Sequence, residues 1–232
     1  MITTGPIMTA SAAIATSIIA AFSGMNMIET FSISKNFEMQ KCSSSSSNNI
    51  DRFRTKTTDE IVSELENMKR KDLFELFLSC DAPSDVDSVS GEWNTKLLDN
   101  RSWFMTSVSN IMTNRLLGSN KKWYGKTINS NTPGINKFHP FGLSSDTEIQ
   151  KSITKEQPFD CTIGPSKFLP EQKSLTLKYR NYQIPISLWR TLVDEARVVR
   201  LDNGAKVLIG MGFMTWSGGP LNSTPFCMYK NN

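Results

Sequence analysis

The sequence predicts a mainly β domain, an antiparallel sheet closed into a barrel, and two observations carry that reading. Apolar runs of strand length recur from Gly91 to the C-terminus, several with period-two alternation: Leu175, Leu177 and Tyr179 place one apolar face plainly. Glycines stand where tight hairpins need positive φ, in Asp202-Asn203-Gly204 and in Trp216-Ser217-Gly218-Gly219-Pro220. Strands joined in sequence by hairpins form a meander. A meander of about seven strands must remove its edges, and closure leaves an interior for side chains or one small ligand. A β-sandwich is the alternative.

The elements follow in order. Residues 1–21 have the form of a signal segment: Ile7 to Ile28 carries no charge, and Ala12 to Phe22 is a compact apolar run. An uncleaved anchor is the alternative, although the run is short and Ala/Ser/Thr-rich for a bilayer span. Residues 22–56 are rich in Ser, Asn and Lys, with the low-complexity run Ser43 to Ser47, Asn48 and Asn49 late in the stretch, and predict a disordered linker or second address. Residues 57–80 predict a helical lead-in. Thr57-Thr58-Asp59-Glu60 is a capping-box pattern, and Ile61, Leu65 and Met68, then Leu73, Phe74, Phe77 and Leu78, mark the apolar stripe. Asp81 to Asp85, with Pro83, ends it.

The β domain is read over residues 89–230. Gly91 to Leu98 opens it. One amphipathic helix is inserted at Ser102–Leu117, with Phe104, Val108, Ile111, Met112 and Leu116 on its apolar face and Gly118 closing it. Strands then fall at Lys122–Ile128, Phe159–Ile163, Ser174–Arg180, Leu192–Leu201, Lys206–Trp216 and Pro225–Lys230, with Asn129 to Gly142 as a loop.

Charge and chemistry narrow the function. The net charge is +4, with 26 Lys and Arg against 22 Asp and Glu and no basic stripe interleaved with aromatics, which argues against nucleic acid as a partner. Cys42, Cys80, Cys161 and Cys227 are widely spaced, and His139 is the single histidine, so no metal or cofactor motif is read; buried free thiols are expected. His139 sits in the predicted loop without a Gly-x-Ser-x-Gly elbow, which favours a surface residue over a catalytic one. Trp123, Trp189 and Trp216 are read as core, and the sequons at Asn100 and Asn222 as chance.

Gly91-x-Trp93 on the first strand, with a late cation, is similar to the lipocalin-like (calycin) arrangement, in which the Trp closes the barrel floor. Arg197 is the expected cation, with Lys230 second; a guanidinium on an indole contributes on the order of 1 kcal/mol. The lead-in helices and Asp194-Glu195-Ala196-Arg197-Val198-Val199-Arg200-Leu201-Asp202-Asn203-Gly204 resemble the plastid lipid-associated (fibrillin) branch of that group. The final hairpin through Gly218-Gly219 departs from its pattern. The two-part leader resembles the bipartite presequences of algae with secondary plastids, implying a plastid address; the secretory route or a membrane anchor are the alternatives.

These readings imply a non-catalytic cup for a small hydrophobic molecule such as a lipid, pigment or quinone. Its interior is expected to present Trp93, Trp123, Cys161, Leu177, Tyr179, Glu195, Arg197 and Met211. Two alternatives stand beside it. One is an isomerase or lyase using Glu195, Tyr179 or His139 as acid or base; the other is a structural or assembly factor whose helix at Ser102–Leu117 meets a membrane surface.

Overall fold

A computed structural model of the protein describes residues 52–98, 103–201, 206–216 and 218–230. The signal-like segment, Cys42, most of the linker, the sequon residues Asn100, Arg101 and Ser102, the Asp202-Asn203-Gly204 turn, Ser217 and the side chain of Phe104 lie outside the described residues. Eight antiparallel strands close into a barrel in which each pairs with its neighbours in sequence and the last returns to the first. They are β1 (Gly91–Leu97), β2 (Lys122–Ile128), β3 (Gly134–His139), β4 (Thr154–Pro165), β5 (Lys173–Lys178), β6 (Leu192–Arg200), β7 (Lys206–Met214) and β8 (Thr224–Lys230). The predicted mainly β, calycin-like barrel with helices before and within it is the observed architecture.

Two segments correct the reading. The stretch expected as a loop from Asn129 to Gly142 contains β3, and β4 begins at Thr154 rather than Phe159. Pro133, Gly134 and Pro140 dominate the local signal, yet β3 pairs on both sides and buries Asn136 and Phe138 inside the barrel. His139 is therefore a buried strand residue, 2 % exposed, with its ring edge-on to Tyr124 and its Nδ1 2.8 Å from the Pro140 carbonyl.

The N-terminal helices are α1 (Thr58–Asn67) and α2 (Arg70–Ser79). The capping box forms as the sequence pattern requires: Thr57 Oγ1 accepts from the Glu60 amide at 3.3 Å, and the Glu60 carboxylate accepts from the Thr57 amide at 2.7 Å. The stretch read as disordered to Lys56 ends sooner. Arg52 to Thr55 form a turn that buries Phe53, whose carbonyl accepts from Arg200 at 2.6 Å.

These helices lie on the outside of the barrel against β7 and β8, which splits the apolar residues into two cores. Along β7 the sides alternate as strand geometry demands. Val207, Ile209, Met211 and Phe213 join Ile61, Leu65, Phe74 and Phe77 outside, while Leu208 and Met214 point in. Gly210 leaves the interior room for the Phe226 ring, whose nearest atom lies 2.2 Å from where a Cβ would stand.

The floor is closed by a 3-10 turn, Asp87–Val89, and by Trp93, whose indole donates to the Val89 carbonyl at 2.7 Å. The cation over Trp93 is Lys230, 4.8 Å from the ring centroid, and its ammonium also donates to the Ser90 carbonyl at 2.6 Å. The expected partner, Arg197, lies outside the barrel over Phe77 at 4.9 Å. Its position alternates with inward-facing Ala196 on β6, so strand geometry carries it away from the floor. Gly91 is required here: it has φ +112°, and a Cβ would stand 3.0 Å from the Lys230 ammonium.

Candidate binding site

The end opposite the floor is covered by α3 (Trp103–Asn110) and the π-helical segment Ile111–Leu117 that continues it. Backbone bonds from Gly118 to Thr113 and from Asn120 to Arg115 span five residues, and this wider turn changes which side chains face inward. Val108, Met112 and Leu117 face the barrel, whereas Ile111 and Leu116, expected on the apolar face, are more than half exposed. Asn114 accepts from the Trp123 amide at 2.8 Å, and the Trp189 indole donates to the Leu117 carbonyl at 2.9 Å, fastening this lid to the barrel.

Beneath the lid lies a cavity of about 130 Å³. Its walls are mostly apolar and aromatic, with Met112, Trp123, Trp189, Met214 and Phe226 prominent. At its base four polar residues from four strands meet: Lys126 (β2), Asn136 (β3), Tyr179 (just after β5) and Asp194 (β6). The Lys126 ammonium lies 2.9 Å from Asp194 Oδ2, donates to Asn136 Oδ1 at 2.7 Å, and donates to the Tyr179 hydroxyl. Tyr179 donates in turn to Asp194 Oδ2 at 2.8 Å. The rings of Trp123, Phe159 and Tyr179 surround the ammonium at 5.0, 5.0 and 5.2 Å.

The electrostatics follow from burial and pairing. Desolvation pulls the Lys126 pKa below the usual lysine value, and the Asp194 carboxylate opposes it. Burial pushes the Tyr179 phenol well above 10, with the neighbouring carboxylate acting in the same direction. A neutral phenol thus links a buried cation and anion.

Two bulges build this base. In β2 the register slips between Trp123 and Gly125, so Lys126 and Ile128 share the inner side with Trp123. Gly125 fits there because a Cβ would stand 2.2 Å from the Trp93 carbonyl oxygen. In β4 the slip between Pro158 and Glu156 places Gln157 at φ +57°, and its carbonyl accepts from Asn136 Nδ2, the side-chain amide, at 3.0 Å. The left-handed backbone costs about 1–2 kcal/mol, which satisfying a buried amide offsets.

Of the residues expected in the interior, Trp123 and Tyr179 line the cavity. Trp93, Cys161 and Leu177 belong to the inner core without lining it. Glu195, Arg197 and Met211 are on the outer side of the wall, a correction that follows from strand alternation. Glu195 is bound by Ser166 Oγ at 2.6 Å, the Lys167 amide at 2.7 Å and Ser174 Oγ at 2.9 Å, while Arg197 donates to the Leu78 and Cys80 carbonyls at 3.3 and 3.2 Å. Both secure the α2 end and the β4–β5 connection to the barrel. Trp216, read as core, is 54 % exposed at the cavity mouth. Lys126 and Asn136 were not singled out by the sequence, and Asp194 only as part of the Asp194-to-Gly204 resemblance. The one available signal was a lysine in a strand whose flanking residues are aromatic and β-branched. Cys80, Cys161 and Cys227 are free thiols, Cys161 half-buried and the others buried.

Barrel and cavity together define a closed antiparallel barrel of calycin-like architecture, compatible with holding a ligand. No protein-family model matches the chain, and no curated protein matches it. A solved structure, "Crystal structure of protein from Thermomonospora curvata", is similar at a TM-score of 0.48 and 17 % identity, over 80 % of this chain and 99 % of that one.

Proposed function

We propose that the protein binds and carries a small hydrophobic molecule in this cup without changing it covalently. The cavity under the α3 lid carries the reading, because apolar walls around a few convergent polar groups are the usual form of a small-molecule site. The isomerase or lyase reading keeps only Tyr179 of its three acid-base candidates. Glu195 is engaged outside the barrel and His139 faces away from the interior. The test is titration of the full chain with an apolar fluorescent probe, following Trp emission, beside Val108→Trp, which fills the cavity from the lid. Loss of probe binding by about tenfold or more in the variant supports the cup; unchanged binding overturns it. The leader's composition supports delivery to a plastid, checked by the location of a fluorescent fusion to residues 1–60.

The alternative of a membrane-associated protein gains one specific observation. In a meander, the connections β1–β2, β3–β4, β5–β6 and β7–β8 share one end, here the cavity mouth. Trp103, Ile111 and Leu116 lie on the first, Phe141 on the second, Tyr182, Ile184, Ile186 and Leu188 on the third, and Trp216 on the fourth; these are the exposed large hydrophobics among the described residues. Among the described residues the same connections hold Arg115, Lys121, Lys151, Arg180 and Arg190 against Asp146 and Glu148. An apolar rim with a basic excess fits the surface of an anionic bilayer, from which an apolar ligand would enter. Flotation with phosphatidylglycerol vesicles, weakened in Ile184→Ser/Ile186→Ser and absent with phosphatidylcholine alone, supports it. Equal flotation of the variant sinks it.

A further inference from the structure

The base of the cavity has a hydrogen-bond polarity, and it follows from counting protons. An ammonium has three N–H donors. Those of Lys126 are met by Asp194 Oδ2, Asn136 Oδ1 and the Tyr179 hydroxyl. The Tyr179 proton goes to Asp194 Oδ2, the Trp123 indole donates to Asn136 Oδ1 at 3.2 Å, and the Trp189 indole donates to Leu117. The charged and aromatic donors around the base are therefore engaged. The other carboxylate oxygen, Asp194 Oδ1, is different. It lies on the Gly212 side, 2.8 Å from where a Cβ of Gly212 would stand, both residues line the cavity, and no donor among the described residues reaches it. The glycine opens an approach, from the cavity, to an acceptor that no protein donor among the described residues occupies.

Charge narrows the ligand further. Lys126 and Asp194 cancel, so the base carries no net charge to neutralise an ionic ligand. A carboxylate would be brought against Asp194 Oδ1 in a largely buried site, and an ammonium against Lys126, each at a desolvation cost. Size supplies the third limit. A cavity of about 130 Å³ compares with the roughly 150 Å³ engineered apolar cavity that takes up benzene. One ring fits under the lid, and anything longer must extend through the mouth.

We infer that the cup takes a neutral, single-ring molecule bearing one hydroxyl donor, a phenol, with that hydroxyl donating to Asp194 Oδ1; this deepens the carrier reading and rests on it. A lipid or pigment reaches Asp194 only through such a ring, and an oxidised quinone ring, which offers acceptors alone, brings no donor to Asp194 Oδ1.

The experiment titrates the full chain with three molecules of one shape, p-cresol, toluene and 4-methylbenzoate, by calorimetry at neutral pH. The expected order is p-cresol tighter than toluene by about tenfold or more, the increment of a hydrogen bond to a charged acceptor, with 4-methylbenzoate weakest. In Gly212→Ala, whose methyl crowds Oδ1, p-cresol loses its advantage over toluene. Equal binding of p-cresol and toluene to the wild type, or tightest binding of the benzoate, overturns the donor assignment while leaving the cup intact. Binding of none of the three overturns the carrier reading itself. The wild-type series decides the matter even where Gly212→Ala fails to fold.

Discussion

Lys126 is the residue on which most depends, because its buried charge is balanced by one carboxylate. Replacing it with Met leaves Asp194 buried and uncompensated, with an expected loss of about 3–5 kcal/mol in urea unfolding. Adding Asp194→Leu to that variant recovers much of the loss, since the cost lies in the orphaned charge rather than in the missing pair. At the floor, Gly91→Ala forces a side chain onto φ +112° and against the Lys230 ammonium. It is expected to cost about 1–3 kcal/mol by the same measurement. The sequence made Trp93 and its cation visible, yet ranked Arg197 over Lys230, because alternation along β6 decides the side and the phase of that alternation is set by pairing. Lys126 was hidden for a related reason. Without the β2 bulge, Trp123, Gly125 and Thr127 would share a face and Lys126 would point to solvent.

Among the elements, α1 was legible down to its first hydrogen bonds, since capping chemistry is local. Thr57→Ala is expected to cost about 1 kcal/mol, read from the shift of the unfolding midpoint. The lid was legible as a helix but not as a surface. A period of 3.6 residues assigns Ile111 and Leu116 inward, and the π-helical turn turns them out. Asn114→Ala removes the acceptor that holds the Trp123 amide to the lid. Faster hydrogen exchange at that amide, with little change in global stability, is the expected result. β3 escaped notice because its Gly and Pro flanks outweigh six residues whose strand character is conferred by the partners on either side.

For the whole molecule, closure of the barrel was legible and the placement of its second core was not: a stripe on α1 and α2 says that something is covered, not which wall. That outer core holds Cys80 and Cys227, whose thiols burial pushes up to about 12 from 9.0. Each folded pKa lies above the unfolded one, so the stabilisation is complete below pH 9 and is lost as the pH climbs toward 12. Unfolding free energy is expected to fall across that window by about 1 kcal/mol per pH unit for each thiol, and Cys227→Ala to flatten the slope.

The two cores share one wall, and this separates two demands that usually collide. A protein that keeps a hollow for a guest gives up packing at the spot where a small domain has most to gain from it. Here the segment of barrel from β6 to β8 is clad on its outer side by α1 and α2, so much of the apolar burial that holds the chain folded lies beyond the hollow. The lining of the hollow is thereby freed to vary. Exchanges at Met112, Met214 or Phe226 are expected to reshape the hollow while the cladding continues to hold the barrel shut.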